Sequence, residues 1–487
     1  MASRKIIFLI AVGILGLLII LGVVTLANKQ ENNQNSKVES LSIWVVGGTT
    51  EEYLKIFAGF NELGAMYKNT LLDVRVFPSY SSYRETLLAT LDIGKGPDVF
   101  MIEGDGDEVL ASKSVPVPEP YVNLSDFEKR YDDIFLPLLG TMGEGETLAK
   151  TIKGVPLGYE TLGVFYNKAY FPSIPKTWND IGLLYSSNKS YFPVNIGLGP
   201  RYTPDATDII AYFFLKNGVH ETKDLPNAGS ALEEYLRYGN TEKSAPISPV
   251  DDTVTAIENT TDTVENLTDT AITVGPKIEE HGEALIGMKD EYDETGHSTI
   301  DSFMRGKIGM VIGFPSTIRE IEKAQKRAGE SAVTSLILTE RIPQNSLGKS
   351  RLNIARYKYL AVSAKSANPK AAADFLSYLM NQKTLSMAVD VFPYLISPDR
   401  TISQTQGQKS LSTLFTRAYL GAFIPEDGES LFVYNYGVKN EYEKIFEEYL
   451  DRKNKIDINN TLTRVKDAVE CKIESTVGGI LSDKCLK

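Results

Sequence analysis

Three short segments concentrate the side chains with which a protein grips a polar small molecule: Gly47-Gly48-Thr49-Thr50, Ser79-Tyr80-Ser81-Ser82-Tyr83 and Glu103-Gly104-Asp105-Gly106. Backbone N–H groups beside glycine, short hydroxyls and carboxylates supply hydrogen bonds, and tyrosine faces cover the apolar side of a ring. That set suits a neutral, polyhydroxylated ligand. The same residue types also populate ordinary turns, so each residue alone reads as a turn residue. A binding site, with Gly48, Thr49, Tyr80, Ser81, Glu103 and Asp105 as members, is expected where all three loops share one sheet edge.

Residues for catalysis are sparse. The three histidines, His220, His281 and His297, have no partner at a useful spacing, and the His-Glu-x-x-His and Gly-x-Ser-x-Gly patterns are absent. A glycosidase needs two carboxylates across a cleft, and Asp105 with Glu160 could be imagined so. Carboxylates that accept bonds from sugar hydroxyls are the simpler account, so no catalytic residue is expected. Glu103, Asp105, Asp107 and Glu108 crowd one loop but lack the twelve-residue calcium pattern. No metal or cofactor is expected.

The elements that must position these loops alternate between strand and helix. Leu41–Val46 is a β-branched run, and Thr50–Met66 has helical spacing with a Thr49/Glu52 capping box. A strand over Leu72–Pro78, a helix over Ser82–Ile93 and a strand over Asp98–Glu103 follow. This order implies a parallel sheet with right-handed crossovers, and ligands bind such sheets outside the carboxyl ends of the strands. A second α/β unit opens with an extended segment, Val155–Tyr166, and Pro175-Lys176-Thr177-Trp178 starts a helix. A strand over Asn195–Leu198 leads into Gly199-Pro200-Arg201-Tyr202, with helices over Asp205–Asn217 and Ala228–Tyr238. The strand Ile308–Ile312 ends at Gly313-Phe314-Pro315-Ser316, and Thr317 with Glu320 reads as the next cap. Tyr357–Ser363 is a strand, and the helix Lys370–Asn381 has Pro369 at its first position.

At 487 residues the chain exceeds one ordinary core, so at least two lobes are expected. The formal charge of −12 argues against a nucleic-acid binder, which needs a Lys/Arg surface. Nearly all of that charge lies between Glu242 and Glu294, which hold 14 acidic and 3 basic residues. This insert, 241–294, reads either as a helical hairpin or as a solvated loop.

Ile6–Ala27 carries no charged residue and follows Arg4 and Lys5. A helix of that length crosses a hydrocarbon core of about 30 Å, and the preceding bases place the rest of the chain outside the cytoplasm. A retained transmembrane anchor is expected, with a cleaved signal peptide as the alternative; signal h-regions are about 7–15 residues long. No cysteine follows the run, so lipid attachment is excluded. Asn28–Ser36 reads as a tether. Cys471 and Cys485 are the only cysteines, and an oxidising compartment permits their pairing.

Several motifs in order resemble the family 1 extracellular solute-binding proteins, the maltose-binding-like receptors of ABC importers. They are Gly96-Pro97-Asp98-Val99-Phe100, Gly154-Val155-Pro156 through Tyr166-Asn167-Lys168, and Pro175-Lys176-Thr177-Trp178. Phe303-Met304-Arg305-Gly306-Lys307-Ile308-Gly309-Met310 and Asn368-Pro369-Lys370-Ala371-Ala372 complete the set. The resemblance implies an α/β, two-lobe periplasmic-binding-protein-like (type II) fold with crossing hinge strands. Residues 1–40 would form the anchor and tether, 41–158 with 341–385 lobe 1, and 159–340 with 386–487 lobe 2. It implies hinge closure on a small solute, expected to be a sugar, with delivery to permease subunits by a monomeric, non-catalytic receptor; the alternative is a surface solute sensor or a binding protein for peptides or other small polar solutes. It also implies that the cleft takes Gly47, Gly48, Thr49, Glu103 and Asp105, then Glu160 beside Tyr159, Arg201, Tyr202 and Phe314, with Phe432 or Tyr434 as an aromatic platform. One departure stands out: the only tryptophans, Trp44 and Trp178, both read as core, so stacking would fall to tyrosine and phenylalanine.

Overall fold

The computed structural model describes residues 40–104, 107–119, 121–142, 149–171, 173–187, 203, 205–220, 222–239, 298–329, 337–345, 351–415, 417–426, 428–433 and 458–476. The hydrophobic run 6–27, the insert 241–294 and the strand expected over 195–198 lie outside these. Among the described residues no helix is long and apolar enough to cross a membrane. The chain forms two compact units. The first comprises the described residues up to Phe100 with Val362–Leu379, and the second Met101–Ala361 with the described residues from Met380 on.

In the first unit β1 (Ser40–Val46) lies parallel to β2 (Leu71–Phe77), from Ser40 opposite Leu71 to Val46 opposite Phe77. The start of β3 (Val99–Glu103) runs parallel to β1, with Val99 and Phe100 opposite Ile43 and Trp44. One face of the middle strand carries Leu41, Ile43 and Val45, all fully buried, and the other carries Trp44 and Val46 beyond Ser40 and Ser42. Trp44 is core, as its place in the strand implies, with the Arg75 guanidinium 4.6 Å from its ring centre.

The Asp98 carboxylate explains the Gly-Pro-Asp motif. It accepts the Ser42 N–H (3.0 Å), the Asn368 N–H (3.1 Å) and the Ser366 hydroxyl (2.6 Å). One side chain thus joins β1, β3 and the lead into the helix Pro369–Leu379, which has the expected proline at its start.

The crossover helices differ from expectation in two places. The capping box forms as read, with Thr49 and Glu52 bonding each other's backbone, but the helix ends at Phe57 and continues as a 3-10 turn over Ala58–Glu62. Here the Tyr378 hydroxyl donates to the Ile56 carbonyl (2.7 Å), competing with the helical ladder. The second helix is Tyr80–Asp92, because Ser79 rather than a later serine caps it by accepting the Ser82 N–H. Tyr80 and Ser81 therefore belong to a helical turn and not to the loop expected for them.

In the second unit β4 (Val155–Thr161) and β5 (Gly163–Asn167) replace the single extended segment expected over 155–166. They join different sheets. β5 lies between β6 (Met310–Gly313) and β7 (Ile337–Arg341), antiparallel to both. β8 (Leu352–Ser363) spans 12 residues, pairs antiparallel with β4, and is joined at its start by β9 (Ser430–Val433) in parallel. The chain passes from one unit to the other within β3 and again within β8.

The core of this unit centres on Trp178, whose ring lies 4.7 Å from that of Phe213 and 5.1 Å from that of Tyr238. The helix Ala206–Lys216 is buried along most of its length, and Leu462 and Val465 of the helix Ile458–Thr476 join the same cluster. Cys471, on that last helix, is disulfide-bonded; Cys485 lies outside the described residues. The Lys-Thr-Trp turn caps the helix Trp178–Ser187: the Thr177 hydroxyl accepts the Asp180 N–H (3.1 Å), and the Asp180 carboxylate accepts the Thr177 N–H (3.0 Å). Thr177→Ala should cost about 1 kcal/mol in urea unfolding. A cost of zero would mean that water caps this helix equally well.

The Thr317/Glu320 box does not form. The Thr317 hydroxyl donates to Asp205 (2.6 Å), and Glu320 pairs with Lys323 (2.7 Å). A buried carboxylate claims the hydroxyl ahead of the helix end, because an unsatisfied buried charge costs more than an unmade cap.

Candidate functional site

The antiparallel register of β4 and β8 sets Arg356 directly opposite Glu160. From there the guanidinium makes three directed bonds. Nε donates to Glu160 (3.0 Å), Nη1 to Asp205 (2.9 Å) and Nη2 to the Ser316 hydroxyl (2.8 Å). Its flat face lies 3.8 Å from the centre of the Phe314 ring. The second Glu160 oxygen accepts the Ser316 N–H (2.8 Å), and the second Asp205 oxygen accepts the Phe314 N–H (3.2 Å) and the Thr317 hydroxyl.

The loop Gly313-Phe314-Pro315-Ser316-Thr317 is thereby tied to both carboxylates. Gly313 is required here, since a Cβ would stand 2.4 Å from the Thr317 hydroxyl and 3.0 Å from Asp205. Burial alone would weaken the charge on Arg356. The Glu160 and Asp205 carboxylates, with Asp208 and Glu103 beyond them, outweigh it and raise its pKa above the ordinary arginine value.

Other expected site residues fall around this centre or away from it. Glu103, at the end of β3, pairs with Lys358 (3.6 Å), two residues along β8 from Arg356. Tyr159 is buried and donates its hydroxyl to Asp132 (2.8 Å), so it supports the strand. Phe432 lies in β9 with the His220 ring 5.6 Å away. Gly48 and Thr49 belong to the first unit, where Gly47 and Gly48 both adopt positive φ (74° and 72°) in the turn to the cap. Tyr80, also in that unit, is buried against Tyr83. Asp105, Arg201, Tyr202 and Tyr434 lie outside the described residues. The structure thus brings Glu160 and Phe314 together around a cation. Sequence reading missed Arg356, Asp205 and Ser316; the one local signal was the i, i+2 spacing of Arg356 and Lys358, which puts two cations on one strand face.

Behind the site, burial pushes the Asp132 carboxyl above its ordinary pKa, against the opposing pull of the Tyr159 hydroxyl and Arg400. A carboxyl with a raised folded-state pKa adds stability at low pH and loses it as pH rises through the folded value. Asp132→Asn should therefore gain on the parent protein in urea midpoint as pH rises from about 4 to about 7. A difference that stays flat over that range would show that Tyr159 and Arg400 cancel the burial.

A family model described as bacterial extracellular solute-binding protein matches residues 55–404. The chain belongs to that family. No curated protein sequence matches this solute-binding protein. In fold it is similar to a cyclo/maltodextrin-binding protein complexed with maltotetraose, at 15% identity and TM-score 0.57, over 90% of this chain and 98% of that one. It is also similar to an ABC substrate-binding protein from Listeria monocytogenes in complex with cycloalternan (13%, TM-score 0.54, 91% and 100%). A third is a cyclic alpha-maltosyl-1,6-maltose binding protein from Arthrobacter globiformis (12%, TM-score 0.56, 90% and 100%). The expected α/β periplasmic-binding-protein-like fold is what these neighbours share.

Proposed function

We propose that this solute-binding protein is the extracellular substrate-binding subunit of an ABC importer, and that its ligand is a sugar or oligosaccharide. The observation that carries the reading is the Arg356 centre. A guanidinium with 27% of its side chain exposed is held rigidly by carboxylates that are themselves only 9% and 3% exposed. Three of its five N–H donors are taken by Glu160, Asp205 and Ser316, and in this reading the other two serve the ligand. Such an edge suits hydroxyl acceptors. The oligosaccharides named for structures of similar fold support a sugar over other solutes.

In this reading the ligand lies between lobe 1 (41–158 and 341–385) and lobe 2 (159–340 and 386–487), which close by hinge rotation. Gly48, Thr49, Ser81, Glu103 and Asp105 contribute from lobe 1; Glu160, Arg201, Tyr202, Phe432 and Tyr434 complete the site with Arg356. Tyr80, Tyr159 and Phe314 shape it from behind. Residues 6–27 hold the protein at the membrane outside the cytoplasm, where a monomer delivers its ligand to permease subunits at raised local concentration. No catalysis is included, because both Glu160 oxygens are already occupied by Arg356 and the Ser316 N–H.

Thermal melting of the purified protein against panels of oligosaccharides, amino acids and peptides tests the ligand class. A saturating sugar should raise the melting temperature by mass action. A rise with peptides alone would replace the sugar.

A further inference from the structure

We infer that the carboxylate cluster around Arg356 sets the charge class of the ligand: it admits neutral or cationic sugars and discriminates against anionic ones such as uronate oligosaccharides. The inference rests on the sugar reading above and adds the charge class of the ligand.

An isolated arginine in a binding site is ordinarily an anion receptor, because its fork of donors matches a carboxylate. Here three of the five donors are taken. Nε and one N–H on each Nη are bonded to Glu160, Asp205 and Ser316, and one face of the plane is covered by the Phe314 ring. No bidentate approach to the occupied edge is left for an incoming carboxylate. What remains suits single bonds to neutral hydroxyls.

The surrounding charge points the same way. Four carboxylates, Glu160, Asp205, Asp208 and Glu103, act on Arg356, and Glu103 is itself paired with Lys358. Among these described groups the four carboxylates outnumber the two cations, Arg356 and Lys358. Glu160 and Asp205 are held in place by Ser316, Phe314 and Thr317, so they cannot swing away to make room for a second anion. Electrostatic complementarity of this kind sets specificity more than affinity.

The test is calorimetric titration of the full chain with two ligands of one linkage and length, a neutral oligosaccharide and its uronate counterpart, together with Glu103→Gln and Arg356→Lys. The uronate should bind at least about tenfold more weakly. Glu103→Gln, which removes one negative charge, should narrow that ratio. Arg356→Lys keeps the charge but loses the directed bonds, so it should weaken both ligands while leaving the ratio in place. The ratio is unaffected by a general loss of folded protein, and melting curves report that loss separately. Equal or tighter uronate binding overturns the inference while the sugar reading stands. A ratio unmoved by Glu103→Gln also overturns it. Binding of neither sugar overturns the sugar reading and this inference together.

Discussion

Arg356→Met is expected to lower the unfolding free energy by about 3–5 kcal/mol, because removing one partner of a buried ion pair leaves the other uncompensated. Two carboxylates are stranded here, Glu160 and Asp205, whose side chains are 9% and 3% exposed. The Ser316 hydroxyl loses a donor and the Phe314 ring loses its cover as well. Urea unfolding of parent and variant measures the loss. The double variant Arg356→Met, Glu160→Gln should recover part of it, since neutralising one stranded carboxylate removes part of the penalty, and the cycle isolates the pair. A loss below about 1 kcal/mol would mean that water replaces the guanidinium at little cost.

Asp98→Ala should cost about 3 kcal/mol, since three donors lose one charged acceptor at a site only 7% exposed. The effect should be regional. Hydrogen exchange should speed up at the Ser42 and Asn368 amides, which donate to Asp98, while amides around Trp178 in the other unit keep their protection. Asp98→Asn should be intermediate: its carbonyl oxygen still accepts, but its NH2 group faces donors. Unchanged exchange at Ser42 and Asn368 would show that the motif is held together by packing instead.

Much of the frame was legible because it is written locally. The parallel run β1, β2, β3 follows from β-branched segments separated by helical spacing, and the Thr49/Glu52 box and Pro369 are start signals read within four residues. Trp178 reads as core because it sits in the structural Lys-Thr-Trp turn. The misread boundaries share one cause. Ser79, Ser81 and Ser82 are equally good caps on paper, and only the folded turn selects Ser79. Where the helix from Thr50 ends, the Ile56 carbonyl accepts a bond from Tyr378, a residue more than 300 positions away.

The centre of the site was illegible for the same reason. Glu160 and Arg356 are 196 residues apart, and their meeting depends on the register of two strands, which no local pattern specifies. The strand reads as Tyr357–Ser363, which leaves Arg356 just outside it. Asp205 reads only as the first residue of a helix and is in fact an acceptor for three partners from other segments. Thr317 shows the reverse error, a cap motif whose hydroxyl is drawn off by that same carboxylate.

The most direct test is a crystal structure of the protein with a neutral oligosaccharide bound. The account predicts sugar hydroxyls within hydrogen-bond distance of Arg356, with its bonds to Glu160 and Asp205 intact. A sugar seated elsewhere, out of reach of Arg356 and Glu160, would contradict it.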